Sequence, residues 1–249
     1  MEINVDLLAP VVFYLGPFPV TNTILAAWLA IAVLIIVTFL ATRKMTLVPG
    51  GLQNFVEFAV EGMLSPCEQF AGARGRSFLP LVATLFFFIV VANWMGILPF
   101  YAEGDWVHPV EWTAGHGPPL RSANSDLNVT AAMAAIELFW VHAVFIRSNG
   151  LWGWIKHLTW GPPPVLELIS EIARPLSLAL RLFGNILAGE VLLLVMGSLV
   201  PPLVPVLFMG FELFVGIVQA LIFAMLTLAF LSLATAHHGG EEEQHGAAH

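Results

Sequence analysis

The sequence predicts an all-α integral membrane protein with five membrane-embedded helices, one interfacial amphipathic helix, and a last helix pair that is long and strongly tilted. Three observations carry this. Of 249 residues, 58% are apolar and only 10% charged, with a mean hydropathy of +0.86, far from the composition of a soluble domain. Val20 to Leu40 and Phe78 to Phe100 hold no charged residue, and each is long enough for the ~20 helical residues that cross a hydrocarbon core. Segments 165–199 and 203–236, at ~1.5 Å per residue, extend ~50 Å, more than a ~30 Å core accommodates upright.

Along the chain, MEINVDLLAP lacks the basic start and short apolar core of a cleaved signal, so the first apolar run, 20–40, is expected to be a retained span. In 52–72, Glu57, Glu61 and Glu68 fall within ~40° on one side of a helix. Phenylalanines and valines cover the rest, the pattern of a helix lying at the interface rather than crossing. The second span is 78–100. Ser122 to Asp126, SANSD, reads as a turn and cap. It opens the third span, 127–146, which carries Glu137 and His142.

Two long segments follow, 165–199 and 203–236, separated by the helix-breaking VPPLVP. Pro175 offers a kink in the first of them, but membrane helices tolerate proline, and tilt is favoured over a break. Residues 237–249 read as a tail, and all segments together as a single membrane domain.

Basic residues favour the cytoplasmic side. Arg43, Lys44, Arg74 and Arg76 lie between the first and second spans, and Arg147 and Lys156 between the third and fourth. Arg121 alone falls on the opposite side. The N-terminus is therefore expected outside and the tail in the cytoplasm. The net charge of −8 comes from ends and loops, and nine basic residues argue against a nucleic-acid partner. The lone Cys67 forms no internal disulfide and fits no metal spacing, so it reads as filler. His237, His238, His245 and His249 belong to a solvated tail rather than a metal site.

The chemistry centres on Arg181. A charge at mid-membrane costs from about 2.5 to more than 10 kcal/mol, and a guanidinium does not release its proton in return. Arg181 is a fixed positive charge that can hold a carboxylate ionised or block a cation. Its helical neighbours Ser177, Leu178, Gly184 and Asn185 include no acid, and Glu190 is turned about 180° away. The partner must come from another helix or another chain.

Ser177, Gly184 and Ala188 share the Arg181 face to within about 60°, and small residues let a second helix approach. Glu167 and Glu171 precede the arginine, Glu190 follows it, and Glu212 and Gln219 lie on the returning helix. Proton-exchanging groups thus flank a group that cannot exchange, as two half-paths separated by an electrostatic barrier require. The competing reading is an internal ion pair of Arg181 with Glu212 or Glu137 that only fixes packing. For Glu137 and His142, a mutual hydrogen bond is favoured over a relay.

Pro175 to Glu190, PLSLALRLFGNILAGE, resembles the signature of subunit a of F-type ATP synthases. The resemblance extends to NWMGILPF at Asn93 to Phe100, SDLNVT at Ser125 to Thr130 and GIVQALIFAMLTLAFLSLA in the last helix, covering roughly 20–236. It implies the stator subunit that conducts protons beside the rotating c-ring, in a bacterial inner membrane, with b-type stalk subunits as further partners. Arg181 would face the c-subunit carboxylate. Asn185, Glu190, Glu212 and Gln219 would belong to the outer access path and Glu167 to the cytoplasmic exit. Some members carry histidine at one of the positions matching Glu190 and Glu212; here both are glutamate.

No cofactor is implied, and no Walker A loop is present, so nucleotide chemistry falls to partner subunits. Two rival readings fit the sequence less well. A stand-alone proton-coupled transporter should show two related halves, which are absent. An intramembrane enzyme should show a motif such as HExxH or GxSxG, also absent.

Overall fold

The computed structural model describes residues 9–97, 120–160, 164–199 and 203–236, the side chains of 155–160, 164–168, 197–198, 203 and 236 excepted. The end of the second expected span, most of the loop that follows it, the Glu167 side chain, the first prolines of VPPLVP and the histidine-bearing tail lie outside them.

The chain opens with an antiparallel hairpin, β1 (Val11–Leu15) and β2 (Phe18–Thr21), which periodicity did not signal. Gly16, at φ 66°, supplies the left-handed turn residue between the strands. Thr21 ends the hairpin and caps α1 (Asn22–Thr42), its hydroxyl accepting from Ile24 N at 3.4 Å.

Next come α2 (Gly51–Ala71) and α3 (Gly75–Ile97). A 3-10 turn with Gly72 at φ 56° folds α3 back onto α2. The turn is tight enough that a Cβ on Gly75 would collide with the Cys67 carbonyl. Glu57, Glu61 and Glu68 stay exposed, while Gln53, Met63 and Cys67 form the buried stripe of α2.

Asp126 starts α4 (Leu127–Trp160): its carboxylate accepts from Asn128 N at 2.8 Å and its carbonyl from Thr130 N at 3.2 Å. The helix runs past residue 146 and breaks at Gly150, φ 72° and ψ 164°, a conformation only glycine adopts readily. Then α5 (Pro164–Leu199) and α6 (Leu203–Ala236) complete the fold. The backbone of α5 stays helical through Pro175, so this segment is long and unbroken. Five helical segments among the described residues are long and apolar enough to cross a membrane, α2 and α3 counting together as one.

Since lipid tails are as apolar as leucine, these helices gain little from hiding apolar surface from one another and must associate through close packing. Small residues permit it. Ala26 and Ala30 of α1 meet Ala92 of α3 and Ala123, and Gly216 of α6 lies against Asn93 of α3. Further along α6, Ala224, Leu228 and Leu231 pack with Val82 and Phe78 of α3 and Met63 of α2. Leu178, Leu182 and Ile186 of α5 are buried against Ile89, Ala220 and Phe223. That contact sets the rotation of α5, and with it everything on its opposite face.

Candidate functional site

With Leu178, Leu182 and Ile186 turned inward, Ser177, Arg181, Gly184 and Ala188 are all exposed. Large apolar side chains flank them, Leu176 at 55% and Leu180 at 47% exposure, so the surface resembles an uncovered helix interface. Among the described residues Arg181 makes no ion pair. The two internal pairings weighed from the sequence are both missing. Glu212 lies against Gly189, two turns beyond Arg181 and on another face of α5, while Glu137 is buried near Glu171 and Arg174.

On the C-terminal side of Arg181, the helix packing gathers residues from five segments. Arg121, 5% exposed, donates from Nε to Glu190 Oε2 at 2.9 Å. Asn185 donates from Nδ2 to Gln219 Oε1 at 2.7 Å, tying α5 to α6 one turn from Arg181. Glu212 comes so close to Gly189 that a Cβ there would sit 2.5 Å from its Oε1. Glu212 Oε2 and Gln219 Nε2 are buried with no hydrogen-bond partner among the described residues. Behind them, Asn124 donates to Asn93 Oδ1 at 2.6 Å and Asn93 donates to the Gly216 carbonyl at 3.2 Å. Asp126 accepts from Thr23 at 2.8 Å. Asn185, Glu190, Glu212 and Gln219 are thus brought together, and all lie on one side of the arginine.

A second group lies on the N-terminal side of Arg181. His142 of α4 places Nε2 3.1 Å from Glu171 Oε1 of α5, and Arg174 Nη1 lies 3.6 Å from Glu171 Oε2. Arg174 also covers the Phe230 ring of α6. The expected bond between His142 and Glu137 is not formed; His142 Nδ1 instead meets the Leu138 carbonyl at 2.8 Å. Five positions separate Glu137 from His142, and at 100° per residue they point about 140° apart. Glu167 belongs to the same end of α5, but its side chain is outside the described residues.

Sequence reasoning missed two things here. Arg121 counted only as a loop charge, although a basic residue just ahead of the capped start of α4, on the same side as Glu190, could have marked it as a counterion. The cross-helix pairing of His142 with Glu171 left no signal in spacing. Together the two groups set titratable side chains on either side of an exposed arginine that has no ion pair among the described residues. No cluster able to hold a metal ion occurs among the described residues.

Comparison with known proteins agrees. Residues 24–232 match the family model for the ATP synthase A chain. The chain is 38% identical over 218 residues to ATP synthase subunit a 3 of Pelobacter propionicus, covering 84% of this chain and 86% of that protein. It is 34% identical over 224 residues to ATP synthase subunit a of Moorella thermoacetica, covering 89% and 94%. Against ATP synthase subunit a of Gloeobacter violaceus, identity is 38% over 231 residues, covering 90% and 88%. This multi-pass membrane chain belongs to the subunit a family of F-type ATP synthases, whose work is proton transport for ATP synthesis.

Proposed function

We propose that the chain forms two aqueous half-channels against a c-ring and that Arg181 keeps them apart. The observation that carries this reading is Arg181 itself, exposed and without an ion pair among the described residues, on a face of small residues. A buried or membrane-facing charge needs compensation, and a ring of passing carboxylates supplies it from outside the chain. Ser177, Gly184 and Ala188 let the c subunit come close.

The N-terminus faces outward and the C-terminus the cytoplasm of a bacterial inner membrane, with b-type stalk subunits holding the chain still. Protons enter from outside past Asn185, Glu190, Glu212 and Gln219 and neutralise a c-ring carboxylate displaced from Arg181. After nearly a full rotation each proton leaves on the cytoplasmic side near Glu167. The arginine never changes protonation; it makes the protonated carboxyl depart in one direction and the next arrive ionised.

Of the two outer acids, Glu212 is the better relay. Glu190 is already ion-paired with a buried guanidinium at 2.9 Å, whereas Glu212 Oε2 has no hydrogen-bond partner among the described residues and can take a proton without breaking such a pair.

Arg181→Ala in the complete synthase tests the proposal. ATP-driven acidification of inverted membrane vesicles should vanish while the complex still assembles; intact coupled pumping would overturn it.

A further inference from the structure

Hydrogen-bond chemistry at the α4–α5 contact leads beyond that scheme. A backbone carbonyl can only accept, so His142 Nδ1, 2.8 Å from the Leu138 carbonyl, must carry a hydrogen. If the ring is neutral, Nε2 then presents a lone pair to Glu171 Oε1 at 3.1 Å. A proton between the two turns facing acceptors into a hydrogen bond. The contact suits either an imidazolium facing a carboxylate or a neutral imidazole accepting from a carboxylic acid, and in both forms the pair holds one proton more than a neutral histidine and a carboxylate.

We propose that His142 and Glu171 form a one-proton station on the N-terminal, cytoplasmic side of Arg181, through which protons released by the c-ring pass on their way out. This rests on the stator reading above. The pair lies about ten residues, or ~15 Å, from Arg181 along α5. It is neither sealed nor fully solvated, with side-chain exposures of 22% and 19%, so it can exchange protons with both sides.

The surrounding charges suit a group that must load and unload. Arg174, 3.6 Å from the second oxygen of Glu171, offsets the carboxylate charge when the proton has left. Glu137, 1% exposed on α4, lies within electrostatic range of Glu171 and Arg174. Trp154 meets the imidazole edge-on, fixing its plane. From α6 the group receives the Phe230 ring under Arg174 and no charge, the only charged residue of that helix, Glu212, lying at its other end.

In one turnover the O–H bond of a c-ring carboxylic acid breaks, its proton reaches the emptied pair through water, and an N–H or O–H bond forms there. The same proton later passes to cytoplasmic water. No electrons move and no other reactant is needed.

His142→Gln and Glu171→Gln keep size and hydrogen bonding but cannot carry the shared proton. In assembled synthase with the catalytic head removed, each should lower passive proton flux by at least about fivefold, a modest share of what acid–base groups contribute. The exchanged double variant His142→Glu with Glu171→His should restore most of it. Independently, ¹⁵N spectra of the unsubstituted complex should show a protonated Nδ1 on His142 and a proton shared at Nε2.

Wild-type flux in both single variants, or a bare Nδ1, would sink the proposal. Arg181→Ala separates the two ideas. Uncoupling in Arg181→Ala beside normal flux in both glutamine variants removes the proton station alone. Intact coupling in Arg181→Ala removes the stator reading and the station with it.

Discussion

Arg121 and Glu190 form an ion pair at 2.9 Å, with the arginine 5% and the glutamate 19% exposed. It joins the segment ahead of α4 to the far half of α5, and it occupies one of the two acids assigned to the outer path. Removing one partner of a buried pair leaves an uncompensated charge, at a cost of about 3–5 kcal/mol. Arg121→Gln should therefore lower the thermal stability of the detergent-solubilised complex. Adding Glu190→Gln should recover a large part of the loss, which a double-mutant cycle measures. Additive losses would mean that the pair contributes nothing.

Gly189 and Gly184, though close in sequence, should respond for different reasons. A Cβ on Gly189 would meet Glu212 Oε1 at 2.5 Å, whereas one on Gly184 would meet nothing within 4 Å. Gly189→Ala is expected to push the Glu212 carboxylate aside and cut passive proton flux roughly tenfold, in line with what a displaced proton-transfer group loses. Gly184→Ala adds its methyl on the exposed face and leaves Glu212 in place, so any loss of flux there should come with weaker cross-linking to c subunits. Wild-type flux in Gly189→Ala would show that the position of Glu212 is not critical.

Bulk on the exposed face separates folding from docking. Ala188→Leu touches no internal packing, since Ala188 is exposed, so the isolated chain should keep its stability to within about 0.5 kcal/mol. If that face meets a c-ring, coupled ATP-driven pumping should nevertheless fall severalfold, and cysteine cross-links from this face to c subunits should weaken. Normal pumping and cross-linking would place the partner elsewhere.

Asn93 tests the polar layer between α3 and α6. Its amide donates to the Gly216 carbonyl and its oxygen accepts from Asn124, while its Cβ lies 3.1 Å from where one would stand on Gly216. Asn93→Leu leaves a buried donor on Asn124 without this partner and adds volume at a tight contact. A loss of about 2–4 kcal/mol is expected from the unmade bonds and the strain together, read as a drop in thermal stability in detergent. Asn93→Asp should be damaging as well, because its carboxylate keeps the acceptor for Asn124 but has no N–H for the Gly216 carbonyl and would be a buried charge.

Much of the fold was legible because helix formation and membrane insertion depend on local composition. Charge-free runs marked α1 and α3, SANSD marked the capped start of α4, and the length of the last two segments pointed to unbroken helices, as seen through Pro175. The hairpin at Val11–Thr21 escaped because its strands are short and carry no alternation. Sequence reasoning also expected a bond between Glu137 and His142, against their own helical geometry; His142 bonds Leu138 and Glu171 instead.

By itself the sequence determined the membrane class, the helical segments, and the fact that Arg181 has no acid within reach on its own helix. Those are properties of one helix at a time, fixed by hydropathy and a 100° turn per residue. Only the tertiary structure decided that Arg121 takes Glu190, that Glu212 rests on Gly189, and that His142 meets Glu171. Such pairs depend on the depth and rotation of each helix, which small-residue contacts between helices set and no single segment encodes.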